Sequence, residues 1–322
     1  MLISLPKLDP AVAYPKLATL RTSLRAGDWT ACRMLLEAAE PVERTELIRF
    51  AAEARGIEPL LRRVTDEDAD DSAAGAMLGA FLVNAGWRIR GSGRARHVSR
   101  RQFEDFHEKL RQAEQVLYAA AARKPDDPAL WVIRLTVARG LELGHAEARR
   151  RYDELARIDP QHLPGQIQML QQLCPKWGGS WPAVWDFVGE TAGTAPPGAH
   201  NHMLVAEAHF ETATSSDRGS PRFHLSAPAV QATIREAATR SVWHPDFRRS
   251  QGWVRVLSTF AAVFSMGGDS RSAKSMFRML GDLGSEYPWN GYAPYPTAFI
   301  WQHKLRTLFV PESRSDGKTP PS

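Results

Sequence analysis

The chain has 322 residues, 43% of them hydrophobic and 24% charged, which is enough apolar content for a sizeable core and excludes wholesale disorder. The net charge is +5 and the isoelectric point near 9.3, a mildly basic balance; with only Cys32 and Cys174 there is no disulfide framework. No apolar run approaches a membrane span, and the opening MLISLPKLDP is too short and Pro-broken for a secretory leader, so a cytoplasmic protein with reduced thiols is expected.

Strand signals are nearly absent, whereas helical periodicity is plentiful. Helices are expected near 10–26, 28–39, 41–54 and 57–64. The acidic run Asp66–Asp71 then precedes a helix at 73–90, whose end is a basic segment, WRIRGSGRARHVSRR over 87–101. Further helices are expected at 101–123, 128–143, 145–158 and 161–173. In the first of these, Phe103, Phe106, Leu110, Ala113, Leu117 and Ala120 fall three and four apart and form one apolar stripe. Beyond the PKWGGSW break the pattern predicts helices at 180–191, 199–213, 228–240, 247–266, 269–283 and 294–308. Asp9-Pro10, Asp127-Pro128 and Asp159-Pro160 read as N-caps followed by Pro at the first helical position, where its missing N–H costs nothing.

One spacing recurs. Ala148, Tyr152, Leu155 and Pro160 repeat the pattern of Ala113, Leu117, Ala120 and Pro125 thirty-five residues earlier. Cys32, Leu36 and Ala39 follow Gly27-Asp28, and Ala273, Phe277 and Leu280 follow Gly268-Asp269, in the same rhythm. A small residue lets two helices approach closely, and the large residue one turn later fills the groove to the next pair. This resembles the second helix of the tetratricopeptide repeat, with its period of about 34 residues. In the first helix of that repeat Trp131 and Leu135 stand one residue out of step, and the Gly and Tyr that follow in the family are missing.

The segments RGSGRARHV, PDDPALW, IDPQHLPG and PKWGGSW, within about residues 77–212, resemble an uncharacterised family of bacterial tetratricopeptide-like proteins, a domain of unknown function. Its shared motif is carried here by Lys176, Trp177, Gly178, Gly179 and Ser180. The resemblance implies a fold of helix pairs and brings no reaction, cofactor or partner with it.

Three clusters are candidates for chemistry. In the PKWGGS turn, Pro175 ends a helix, the glycines permit a tight reversal and Ser180 caps the next helix; Trp177, Trp181 and Trp185 either line a groove with Lys176 at its rim or wedge adjacent helix pairs together. In the basic segment, Arg88, Arg90, Arg94, Arg96, Arg100 and Arg101 suit phosphates or an acidic peptide, while Arg88 and Arg90 also complement a helix C-terminus. Its Gly91-Ser92-Gly93 lacks the remaining elements of a phosphate-binding loop. His200, His202, Glu207 and His209 lack metal-motif spacing, so capping or solvated roles are expected. The aromatic run from Tyr287 to Trp301 is expected to cover the terminal helix pair.

The expected fold class is all-α, an irregular α-solenoid of tetratricopeptide-like helix hairpins over 1–213, a linker at 214–228, further helical repeats over 229–310 and a disordered tail at 311–322. The expected function is non-enzymatic: a cytoplasmic scaffold binding a protein or peptide partner on a concave surface, without cofactor or metal. The partner-binding residues are expected to be Arg94, Arg96, Arg100, Arg101, Lys176, Trp177 and Trp181. The alternative is a nucleic-acid-associated protein using the loop 88–101; an enzyme with a cleft dispersed along the sequence is the third reading.

Overall fold

In the computed structural model, described for residues 4–91, 97–215, 220–291 and 295–308, the chain is all-helical. It opens with α1 (Pro10–Ala13), α2 (Pro15–Ala26), α3 (Trp29–Glu37) and α4 (Pro41–Ala51). Then come α5 (Glu58–Glu67), α6 (Ser72–Arg90), α7 (Arg100–Arg123), α8 (Pro128–Gly140), α9 (His145–Ile158) and α10 (Leu163–Leu173). The remaining helices are α11 (Trp181–Thr194), α12 (Met203–Ser215), α13 (Pro221–Leu225), α14 (Pro228–Arg240), α15 (Trp253–Gly267), α16 (Ser270–Leu280) and α17 (Pro296–Leu308). Arg94, Arg96 and the tail 311–322 lie outside the described residues.

Local sequence sets most of these boundaries. Asp9, Asp28, Asp71, Asp127 and Asp269 each accept a first-turn N–H of the following helix, as an N-cap should. Four expectations are corrected. The stretch 10–26 is two helices, because Pro15 removes an N–H and holds Tyr14 outside the helical region, at φ −127°, ψ 86°. Asp159 does not start a helix: it ends α9 and accepts the Gln161 N–H at 3.0 Å, and the Pro in the first turn of α10 is Pro164. Residues 200–202 form a separate 3-10 turn ahead of α12, and the helix expected from 247 begins at Trp253, after a left-handed Gly252.

Packing follows one plan. Helices α2, α4, α6, α8, α10, α12 and α15 lie side by side in that order, and α3, α7, α9, α11, α14 and α16 each pack on the preceding member of that row. The small and large residues of the recurring spacing are the packing surface: Cys32, Leu36, Ala113, Leu117, Ala148, Leu155 and Ala273 are all fully buried. Glycines accept the leucines. A Cβ on Gly79 would sit 2.4 Å from Leu117, and one on Gly165 would sit 2.0 Å from Leu155. Within residues 214–228, read from sequence as a linker, α13 packs on α12 and α15 with Leu225 fully buried.

The two ends of the row meet. The Lys7 N–H bonds the Asp282 carbonyl at 2.7 Å, the Gly284 N–H bonds the Lys7 carbonyl at 3.0 Å, and the Lys7 ammonium pairs with the Asp282 carboxylate at 2.7 Å. The C-terminal aromatics therefore do more than cover a last helix pair. Trp289 is buried against Phe277, Phe299 and His303, while Tyr287 lies on the inner wall of the space this closure encloses.

Candidate functional site

Where the ends meet, a cavity of about 1130 Å³ opens between α4, the start of α10, the turns at 196–201 and 246–252, the start of α15, and segments 7–14 and 283–290. Its walls are largely apolar: Val42, Phe50, Leu163, Ile167, Val254 and Leu283 contribute. Eight carboxylates and four basic side chains also line it, so the lining is acidic although the chain is basic.

The four basic groups have partners. Lys7 pairs with Asp282, Arg49 with Glu46 at 2.8 Å, Arg248 with Asp246 at 4.0 Å, and Arg255 with Glu207 at 3.2 Å. Two of the carboxylates are also matched from outside the lining, Glu43 by Lys16 and Asp9 by Arg21, each at 2.7 Å. Among the described residues, the side chains of Glu40, Glu53 and Glu286 form no ion pair. Desolvation by the cavity walls pushes the Glu53 carboxyl above its ordinary value; Glu286 and Glu46 add to this, and Arg49 and Arg21 oppose it.

Behind Arg255 and Tyr287 lies a buried polar network. The Arg255 guanidinium sits 4.7 Å from the Tyr287 ring centroid, and its partner Glu207 is fully buried on α12. Burial raises the Glu207 carboxyl and holds the Tyr287 hydroxyl well above its usual range. The Tyr287 hydroxyl donates to Glu211 Oε1 at 3.2 Å, one turn further along α12. Glu211 also accepts from Gln171 at 2.7 Å and from Lys176 Nζ at 2.6 Å. The lysine of the PKWGGS turn is thus tied through Glu211 to a side chain on the cavity wall. Sequence reading missed Glu211 and treated Glu207 only as a metal candidate. The available signal was that α12 carries two glutamates four apart and no Lys or Arg, so their cationic partners have to come from elsewhere.

The turn itself folds as its residues dictate. Pro175–Trp177 form a 3-10 turn, Gly178 is left-handed at φ 84°, and Ser180 Oγ accepts the Ala183 N–H at 3.3 Å. A Cβ on Gly179 would lie 1.9 Å from the Leu173 carbonyl oxygen. Trp177 stands edge-on to Trp87 at 5.9 Å with the Arg139 guanidinium 5.6 Å from its ring centroid. Trp181 is half-buried against the core, and Trp185 packs on His209. Arg100 and Arg101 are exposed at the start of α7 and reach Glu104 at 2.8 Å and Asp105 at 3.9 Å. Lys176 and Trp177 thus come together with α6, α8 and α12, while none of the five described candidates lines the cavity.

The histidines do not converge. His200 bonds the Arg248 carbonyl, His202 the Pro196 carbonyl, and His209 faces His224 at 3.1 Å. Among the described residues, no group of three His, Cys, Asp or Glu is placed to hold a metal ion, and no helix is long and apolar enough to cross a membrane. Both cysteines are free and buried; burial pushes the Cys32 thiol up to about 11 and the Cys174 thiol up to about 12, which suppresses the thiolate a nucleophile needs.

The chain matches no protein-family model and no curated protein. What can be said of its function comes from the cavity and from the order in which the helices pack.

Proposed function

We propose that this chain is a non-enzymatic interaction module, an irregular solenoid of tetratricopeptide-like helix hairpins, that holds a peptide segment of a partner protein in its central cavity. The observation that carries the reading is the cavity of about 1130 Å³ walled by apolar side chains from α4, α10 and α15. Its volume exceeds the roughly 300–1,000 Å³ typical of small-molecule sites and suits a longer occupant. Helix pairs stacked side by side present their inner row to such a partner. The motif turn has a supporting role: Lys176 holds Glu211, which receives the Tyr287 hydroxyl from the cavity wall. Two buried, protonated thiols fit a cytoplasmic setting.

The test is hydrogen exchange in the presence of peptides selected from a randomised array. Binding peptides are expected to protect 41–53, 196–201 and 250–256. Protection confined to α7 and α9 would overturn the reading.

Nucleic acid along 88–101 is supported by the exposure of Arg100 and Arg101, whose side chains are 93% and 91% accessible. Their neighbours Glu104 and Asp105 offset that charge. Under this second reading, reversing the charge of Arg100 and Arg101 would lower both affinity and its salt dependence.

A further inference from the structure

We propose that the segment held in the cavity is a cationic, partly apolar peptide, with a Lys or Arg side chain entering between Glu53 and Glu286 and apolar side chains meeting Phe50, Ile167 and Val254. This rests on the peptide-binding reading above and names the chemistry of its occupant.

The argument is one of charge left over. A chain of net charge +5 that distributed its charges evenly would give a basic lining; here carboxylates outnumber bases by eight to four. Every base in the lining is already matched by a carboxylate of the protein, as described above. Among the described residues, four lining carboxylates form no ion pair: Glu40, Glu53 and Glu286, which are exposed, and Asp159, which is half-buried and accepts the Gln161 N–H. Of the exposed three, Glu40 and Glu53 flank the two ends of α4 and Glu286 lies on the 283–290 segment, with Glu53 near enough to Glu286 to feel its charge.

Desolvation already holds a proton more tightly at Glu53 than at an ordinary glutamate, and a bound cation would offset both that cost and the smaller repulsion from Glu286 and Glu46. An anionic segment would add to that repulsion without finding a free base. Lys and Arg also carry long apolar stems, which suit a wall whose charged groups rise from a hydrophobic surface. Guanidinium adds bidentate geometry toward a carboxylate, so Arg should be preferred to Lys at the Glu53 position.

The experiment uses the full chain and three peptide arrays of equal apolar content, with net positive, zero or negative charge, read by fluorescence anisotropy, with hydrogen exchange to locate each binder. Cationic peptides are expected to bind, to protect 41–53 and 250–256, and to weaken as salt is raised. The double variant Glu53→Gln/Glu286→Gln, both at exposed positions, should weaken them about tenfold, as expected for two partly exposed ion pairs, and Glu104→Gln on α7 should not. Neutral or acidic peptides that protect the same residues equally well would overturn the cationic inference and leave the peptide-binding reading standing. Failure of all three arrays to protect the cavity would overturn both.

Discussion

The hydroxyl oxygen of Tyr14 accepts the backbone N–H of Val254 at 3.3 Å and that of Gly252 at 3.2 Å, so a side chain near one end of the sequence caps a helix near the other. The first N–H groups of any helix lack intrahelical partners. At α15, whose N-cap residue is a glycine without a side-chain acceptor, the phenol supplies one. Burial pushes the Tyr14 hydroxyl up to about 12, so it remains neutral throughout the physiological range.

Tyr14→Phe keeps the ring and removes that acceptor, leaving two N–H groups at the start of α15 unsatisfied. The expected loss is about 1–2 kcal/mol, a fall of about 2–3 °C in Tm for a chain of this length. Tyr118→Phe, at a residue 63% exposed, is the control and should leave Tm unchanged. An unchanged Tm in both variants would show that the closure does not depend on this cap.

A second buried contact joins α7, α8 and α9. Glu114 accepts from Arg134 Nη2 and Arg151 Nη2, both at 2.8 Å, and the two guanidinium side chains are only 5% and 3% exposed. Glu147 holds Arg151 from the other side at 2.7 Å. Glu114→Ala leaves two buried cations facing each other, so a loss of roughly 3 kcal/mol is expected. Replacing Glu108, which pairs with Arg111 on the exposed face of the same helix, should cost well under about 1 kcal/mol. Chemical denaturation of the two variants separates these values, and equal losses would contradict the assignment.

How much of this was legible in the sequence depended on range. The caps at Asp9 and Asp127, the Gly-Asp pairs at 27–28 and 268–269 and the stripe from Phe106 to Ala120 are local patterns, and the helices followed from them. Tyr14-Pro15 was also local, yet it was passed over because the apolar period runs through it. Asp159 misled because a following Pro was treated as sufficient, when Pro164 sets the start of α10. The closure of Lys7 on Asp282 and the facing of Glu53 and Glu286 join residues more than two hundred positions apart, and no periodicity encodes such pairs. The candidate binding residues were chosen from conspicuous local clusters, whereas the cavity is assembled from single side chains on six separated segments.

The PKWGGS turn gives a test of backbone geometry. At Gly179 a Cβ would lie 1.9 Å from the Leu173 carbonyl oxygen and 2.4 Å from its carbon, and backbone cannot rotate away as a side-chain tip can. Gly179→Ala should therefore displace the turn, cost at least about 2 kcal/mol, and loosen the Lys176 contact to Glu211. Gly189→Ala, inside α11 with open space around the new methyl, should stabilise by up to about 1 kcal/mol. Opposite signs of ΔTm are the expected result. A neutral Gly179→Ala would mean that the turn relaxes freely and its second glycine is dispensable.

Acid sensitivity should come in two stages. Burial lowers His209 and His303 from the ordinary 6.5 to about 4, with His224 adding to the effect at His209 and Arg306 at His303. Between those values the unfolded chain binds protons that the folded chain does not, so stability falls as pH drops from about 6.5 to about 4. Glu147 shows the other case. Its carboxyl is held down to about 2, first by its hydrogen bond from Arg150 and then by Arg151, so its contribution is complete above about 4.5 and is lost as pH falls toward 2. Buried Glu207, raised rather than lowered, works against the histidine slope by favouring the folded state as it takes up its proton. Urea denaturation from pH 7 to pH 4 should therefore show a declining stability that His209→Gln/His303→Gln flattens. A decline unchanged in that double variant would place the proton uptake on other groups.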